Sequence, residues 1–224
     1  MNHIEKFNEI KRNYTVDASI SMSTIAKQVA TELGYDKIRY ISSGSYGDCW
    51  KVTHGNDVKV LKITTDMQEA KIAERIRKIS HSNHIISYYD VRRINPHKGE
   101  ERIFKRYDIY SILMDYITPL EKHPDYYLID SIIIFQGEVG GNTINKMHIE
   151  SKLFEFGYDL DEKSNYWINQ LKETFEALKK IGIQPTDADI HSGNLGYSSD
   201  NILVYFDIST FDFSWLKLKK ITLK

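Results

Sequence analysis

The stretch that most restricts what this 224-residue chain can fold into is 184–207. It sets Asp189, Asn194 and Asp207 at fixed separations, five residues and then thirteen. Leu195-Gly196-Tyr197 and 202–206 read as two short strands, joined by the polar turn Ser198-Ser199-Asp200-Asn201. A hairpin of that length returns Asp207 to the end of the ladder where Asn194 lies. With Asp189 beside them, two carboxylates and an amide face one small volume. Such a set suits a hard divalent cation bound mainly through phosphate oxygens, since Mg2+ takes only one or two carboxylates from protein.

Upstream, residues 38–63 read as strands. Ile38-Arg39-Tyr40-Ile41 leads into Ser42-Ser43-Gly44-Ser45-Tyr46-Gly47, then Asp48-Cys49-Trp50-Lys51-Val52. A turn at His54-Gly55-Asn56 opens the strand Val58-Lys59-Val60-Leu61-Lys62-Ile63. Glycines at 44 and 47 let backbone approach a phosphate that a Cβ would obstruct; an ordinary hairpin turn is the plainer alternative. Lys62 lies among apolar neighbours, either as a lysine snorkelling to water or as a phosphate ligand. The following helix, capped by Thr64 or Thr65, carries Glu69, Ala70, Ile72, Ala73, Ile76 and Ile79 at helical spacing. Glu69 is the expected partner of Lys62, with Glu74 the alternative. An exposed ion pair contributes only ~0–1 kcal/mol, so positioning of the lysine is the better reason for such a pair.

These parts, in this order, resemble the protein-kinase-like fold. Asp189-Ile190-His191-x-Gly193-Asn194 looks most like the small-molecule and atypical kinases related to aminoglycoside phosphotransferases. The resemblance covers roughly 38–117 and 165–212. It implies an α+β, two-lobed fold: an N-terminal extension with a helix (1–37), a small lobe with an antiparallel sheet (38–117), and a truncated, mostly helical large lobe holding the catalytic loop (118–224). By the same resemblance the chain binds ATP and Mg2+ and moves the γ-phosphate to a hydroxyl acceptor. Asp189, Lys62 and Asn194 would be catalytic, and Asn194 and Asp207 would hold the metal. Ser42, Gly44, Gly47, Lys62 and Glu69 would serve the phosphates. Met114 would back the adenine pocket, and backbone groups of Asp115 and Ile117 would meet the base. His191 touches phosphate or acceptor, or only its own loop. Asp187 stands where the family usually has His; it either raises the pKa of Asp189 or turns to a backbone partner, and the second is expected.

The chain departs from the family at Ser42, which replaces the first loop glycine, and at Ile208-Ser209, where protein kinases have Phe-Gly. Only seventeen residues follow Asp207, so an activation segment and peptide-docking helices are not expected. Acceptor recognition would then fall to 118–160, to the N-terminal extension or to a partner chain. The acceptor is expected to be a protein hydroxyl, with a small molecule as the alternative. A pseudokinase that binds nucleotide or a partner without transfer is the rival class.

Elsewhere, 1–21 show no clear period. Ser23 is the expected cap of a helix with Ile25, Ala26, Val29, Ala30 and Leu33 on one face and Gly34 as its stop. Residues 24–34 could be mistaken for the start of a helix-turn-helix, but no second helix follows. The stretch 84–91 reads as a strand, 95–106 as a charged loop and 110–117 as a strand. Residues 128–135 are apolar and fit helix or strand equally, and 137–142 read as a plain Gly-rich turn. Ser164 is the expected cap of a helix bearing Ile168, Leu171, Phe175, Leu178 and Ile181, ended by Gly182.

Composition excludes some classes. A net charge of −1 argues against a bulk electrostatic grip on nucleic acid, and Lys217, Lys219, Lys220 and Lys224 read as a solvated tail. The single Cys49 permits no intrachain disulfide. No apolar run approaches the ~20 residues that span a bilayer, and 1–11 are polar, unlike a secretory signal. A cytoplasmic protein, from a viral or bacterial AT-rich genome, is expected.

Overall fold

The structure, a computed structural model, describes residues 12–16, 21–44, 46–79, 82–96 and 108–208. The lysine tail, the polar start 1–11, Ser209 and most of the charged loop lie outside the described residues. The chain is α+β and divides into two compact units. The first holds the described residues of 1–78 and 87–116; the second holds those of 79–86 and 117–219.

The first unit is built on a six-stranded sheet. Its strands are β1 (Arg12–Val16), β2 (Lys37–Ser43), β3 (Gly47–His54), β4 (Asp57–Thr64), β5 (Tyr88–Pro96) and β6 (Ile109–Asp115), in the order β1-β5-β6-β4-β3-β2. Five strands pair antiparallel, and β1 joins the edge parallel to β5. The strand β1 was not legible in 1–21. Strand β5 also differs from expectation: it begins at Tyr88, not His84, and runs on to Pro96.

Helix α1 (Met22–Glu32) buries Ile25, Ala26, Val29 and Ala30. They pack with Trp50, Val52, Leu61, Ile63, Ile94, Ile109 and Leu113 into one core. Burying an Ile or Val side chain contributes roughly 1.5–3 kcal/mol, so α1 is held to this unit by its core face. Its N-cap is Ser21 rather than Ser23, and Gly34, at φ +88°, ends it as expected. Helix α2 (Met67–Arg77) packs on β5 and β6. Its cap is Asp66, whose carboxylate accepts from Gln68 and Glu69 N–H at 2.7 and 3.3 Å. Thr64 and Thr65 stand before the turn that starts the helix; their hydroxyls donate to Tyr46 O, each at 3.2 Å, and Thr64 Oγ1 accepts from Asp66 N–H at 3.1 Å.

The second unit holds α3 (Tyr126–Val139), α4 (Lys146–Glu155), α5 (Glu162–Ile181) and a small sheet of β7 (Thr118–Pro119), β8 (Leu195–Tyr197) and β9 (Leu203–Tyr205), ordered β7-β8-β9. Residues 128–135 are therefore helical, and Gly137 lies inside α3; the turn starts at Gly140 and Gly141, with φ +61° and +89°. Buried Gln136 staples that turn through Gly140 O, Thr143 O and Asn145 N. In α5 the expected stripe is buried, joined by Trp167, Thr174 and Ala177. Its cap is Asp161, which accepts from Ser164 N at 2.9 Å. Ser164 thus supplies the capped amide rather than the cap. Gly182, at φ +93°, closes the helix. No helix among the described residues is long and apolar enough to cross a membrane.

Candidate functional site

The candidate residues fall into two groups, one in each unit. In the first unit, β4 is an inner strand, and Lys62 stands opposite Cys49 on β3 and Ile112 on β6. Side chains alternate across a strand. Since Leu61 and Ile63 pack under α1, Lys62 takes the other face, with Cys49, Ile112 and Met114. On that face Lys62 forms an ion pair with Glu69 of α2, with side-chain exposures of 16% and 19%. Glu74 instead pairs with Arg77 and Lys78 on its own helix. Burial raises the pKa of the Glu74 carboxyl, but hydrogen bonds from Arg77 and Lys78 outweigh it and hold it below the ordinary value. A mostly buried ion pair offers little net stability, so the Lys62–Glu69 pair is better explained by what it orients.

The Gly-rich stretch is a turn between β2 and β3. Ser42 is strand rather than loop and pairs with Cys49, and Gly44 N–H donates to Gly47 O at 2.8 Å. The reason for Gly47 differs from the expected one. A Cβ there would strike the Ile63 carbonyl and lie 2.8 Å from Thr64 Cα, so close pairing with β4 already requires glycine. At Gly44 the nearest obstacle to a Cβ is Gly47 O at 3.7 Å, an ordinary contact. Tyr46 O takes Thr65 N–H at 2.8 Å as well as both threonine hydroxyls, so the turn is clamped to the end of β4. Sequence reasoning missed that clamp; adjacent threonines after a strand were its only trace.

Met114 is buried, 8% exposed, and pairs with Val60 and Tyr88. Asp115 lies on the opposite face, where its Oδ1 accepts from Lys59 Nζ at 3.0 Å and Tyr89 OH at 2.7 Å. The Lys59 ammonium also sits 3.9 Å from the Tyr89 ring centroid. Burial alone would lower the Lys59 pKa, but hydrogen bonds with Tyr89 and Asp115 raise it. Asp115 N–H donates to Ser87 O at 3.1 Å. Ile117 falls in the second unit.

In the second unit the hairpin forms as its spacing requires. Leu195, Gly196 and Tyr197 pair with Tyr205, Val204 and Leu203. The tip residue Asn201 has φ +61°, a conformation asparagine tolerates. Asn194 and Asp207 meet at the other end, where Asn194 O accepts from Phe206 N–H at 3.0 Å and Asp207 N–H at 3.5 Å. Asn194 is buried, and its Nδ2 donates to Asp189 O at 2.8 Å. Tyr205 OH donates to the same carbonyl at 3.2 Å.

His191 engages its own loop. Its Nδ1 accepts from Gly193 N–H at 3.1 Å, which places the proton of the neutral ring on Nε2, 3.6 Å from Asp189 Oδ2. The ring thus lies beside the Asp189 carboxylate without a hydrogen bond to it. Asp187 ends a short 3-10 turn (Pro185–Asp187). The expected backbone partner is not found: its carboxylate makes no hydrogen bond or ion pair among the described residues. Thr186 is held by Asn142, whose Oδ1 accepts from its N–H at 3.1 Å and its hydroxyl at 3.0 Å. That link to the glycine turn was invisible in the sequence.

Asn194 Oδ1, its Nδ2 being committed to Asp189 O, and the carboxylate of Asp207 at the same hairpin end are the oxygens that could hold Mg2+ here. No cluster of three or more His, Cys, Asp or Glu placed to hold a metal occurs among the described residues. A cation here would therefore draw its remaining ligands from phosphate and water, as Mg2+ commonly does. No family model and no curated protein sequence matches the chain.

Proposed function

We propose that this chain is an ATP- and Mg2+-dependent phosphotransferase of protein-kinase-like, two-lobed architecture, acting on a hydroxyl group. The observation that carries the reading is the hairpin end, where Asp207 meets Asn194 and Asn194 is bonded to Asp189. The Lys62–Glu69 pair supports it independently. In this reading Lys62, oriented by Glu69, neutralises the α- and β-phosphates, and Met114 and the backbone of Asp115 and Ile117 receive the base. Asp189 orients the acceptor hydroxyl and takes its proton. Asn194 and Asp207 hold the cation, which supplies neutralisation of phosphate charge. The acceptor is a protein hydroxyl, and the setting is the cytoplasm.

The reading is tested by labelled-phosphate transfer from ATP with Asp189→Ala. A loss of about 10²–10⁴-fold with ATP binding retained is expected; undiminished transfer removes Asp189 from the mechanism. One observation favours a nucleotide- or partner-binding protein without transfer: strand packing alone accounts for Gly47. A wild-type protein that gains thermal stability from ATP but moves no phosphate would establish that alternative.

A further inference from the structure

β9 is an edge strand whose outer side is engaged group by group. Tyr205 N–H donates to His84 O at 2.9 Å, and Ile86 N–H donates to Tyr205 O at 3.1 Å. Leu203 N–H donates to Gln170 Oε1 of α5 at 3.0 Å. Leu203 O faces Nδ1 of His84 at 2.9 Å. The other ring nitrogen of His84 lies 2.7 Å from Glu173 Oε2, also on α5.

Both ring nitrogens of His84 therefore face oxygens that only accept, one a carbonyl and one a carboxylate. A neutral imidazole has one N–H and satisfies one of them; an imidazolium satisfies both. The side chain is 9% exposed, so a bond left unmade there is costly. The charged side chain facing the ring is Glu173 from α5, while β9 meets it through backbone. Leu203 lies four residues before Asp207. Where β9 sits along this edge thus decides where Asp207 sits beside Asn194.

We propose that His84 is a positioning residue: bonded through both ring nitrogens, it fixes β9 between the 84–86 segment and Glu173, and so places the Asp207 carboxylate for a divalent cation. The cation clause rests on the phosphotransferase reading; the positioning of β9 does not. Two variants test it. His84→Gln keeps a donor group but cannot reach both oxygens. Glu173→Gln, at a side chain 60% exposed, leaves the fold intact and lets a neutral ring accept from the new amide.

Two measurements are made on the full chain: amide-exchange protection of Phe206 and Asp207, and the Mg2+ concentration giving half of the ATP-induced thermal shift. His84→Gln is expected to lower that protection at least tenfold with α3 amides unchanged, and to raise the Mg2+ requirement about 10–100-fold. Glu173→Gln, from whose amide a neutral ring can accept, is expected to keep wild-type protection. Unchanged protection in His84→Gln overturns the positioning role. Lost protection with an unchanged Mg2+ requirement overturns the cation clause. A wild type with no Mg2+-dependent response to ATP overturns the reading of the site itself, and the exchange data then still decide whether His84 holds β9.

Discussion

Asn194 donates its side-chain amide to the backbone carbonyl of Asp189 at 2.8 Å. The residue expected to hold a cation thus also shapes the loop that presents the expected base. Asn194→Ala should cut transfer and also destabilise the chain by about 1 kcal/mol. The stability cost is modest because Tyr205 OH still reaches the same carbonyl. Urea unfolding checks the second effect; a cost above that of an unpaired buried carbonyl would mean Asn194 supports more than this loop.

Lys62 and Glu69 allow stability and function to be separated. Lys62→Met removes the ion-pair partner of a mostly buried carboxylate and should cost up to roughly 3–5 kcal/mol. Adding Glu69→Leu should restore most of that stability, because apolar replacements of a buried pair are often neutral or better. Transfer should stay low in both. Recovery of transfer together with stability in the double variant would show the pair to be structural.

Gly47→Ala should destabilise the first unit by about 1–3 kcal/mol without any nucleotide present, since its Cβ meets backbone rather than a movable side chain. Gly44→Ala should be far milder. Unfolding curves of the two variants decide the point; equal stability would return Gly47 to a role in phosphate approach alone.

Tyr35 gives an alkaline signature. Its OH donates to Asp57 Oδ2 at 2.9 Å. Burial, and then the Asp57 carboxylate, push its pKa from 10.0 up to about 12. A raised folded-state pKa contributes stability in full below the unfolded value, lost as pH climbs through the folded one. Tyr35→Phe should therefore melt lower than wild type near neutrality, and the difference should shrink between pH 10 and about 12. A gap in melting temperature that does not change over that window would show that the hydroxyl is not protonated against Asp57.

The legible parts of this chain were those with their own period or spacing. The apolar stripe of α5 named Ile168, Leu171, Phe175, Leu178 and Ile181, and all are buried. The hairpin followed from the thirteen-residue separation of Asn194 and Asp207. Helix caps were misplaced three times for one physical reason. Ser23, Thr64, Thr65 and Ser164 are each adequate caps by type, but only Ser21, Asp66 and Asp161 stand at the backbone turn that starts the helix. Helix α4 was missed because only Ile149 and Leu153 are buried in it while Met147 and Phe154 are exposed, which blurs the period. Residues 84–86 resembled a strand because their apolar run does line a sheet; it bridges to Tyr205 on β9 rather than extending β5. Around the site, the bonds from Tyr205 to Asp189 and from Asn142 to Thr186 span 16 and 44 residues, beyond any local pattern.

Helix α1 packs on one face of the first unit's sheet, against β3 and β4, with Trp50, Val52, Leu61 and Ile63 in the core it shares. A shortened chain starting at Lys37, where a lobe boundary would suggest a cut, would turn that greasy surface out to water. Such a fragment should clump during expression even with every candidate phosphate contact intact, so anyone dissecting this protein must keep the leading helix to obtain dispersed material.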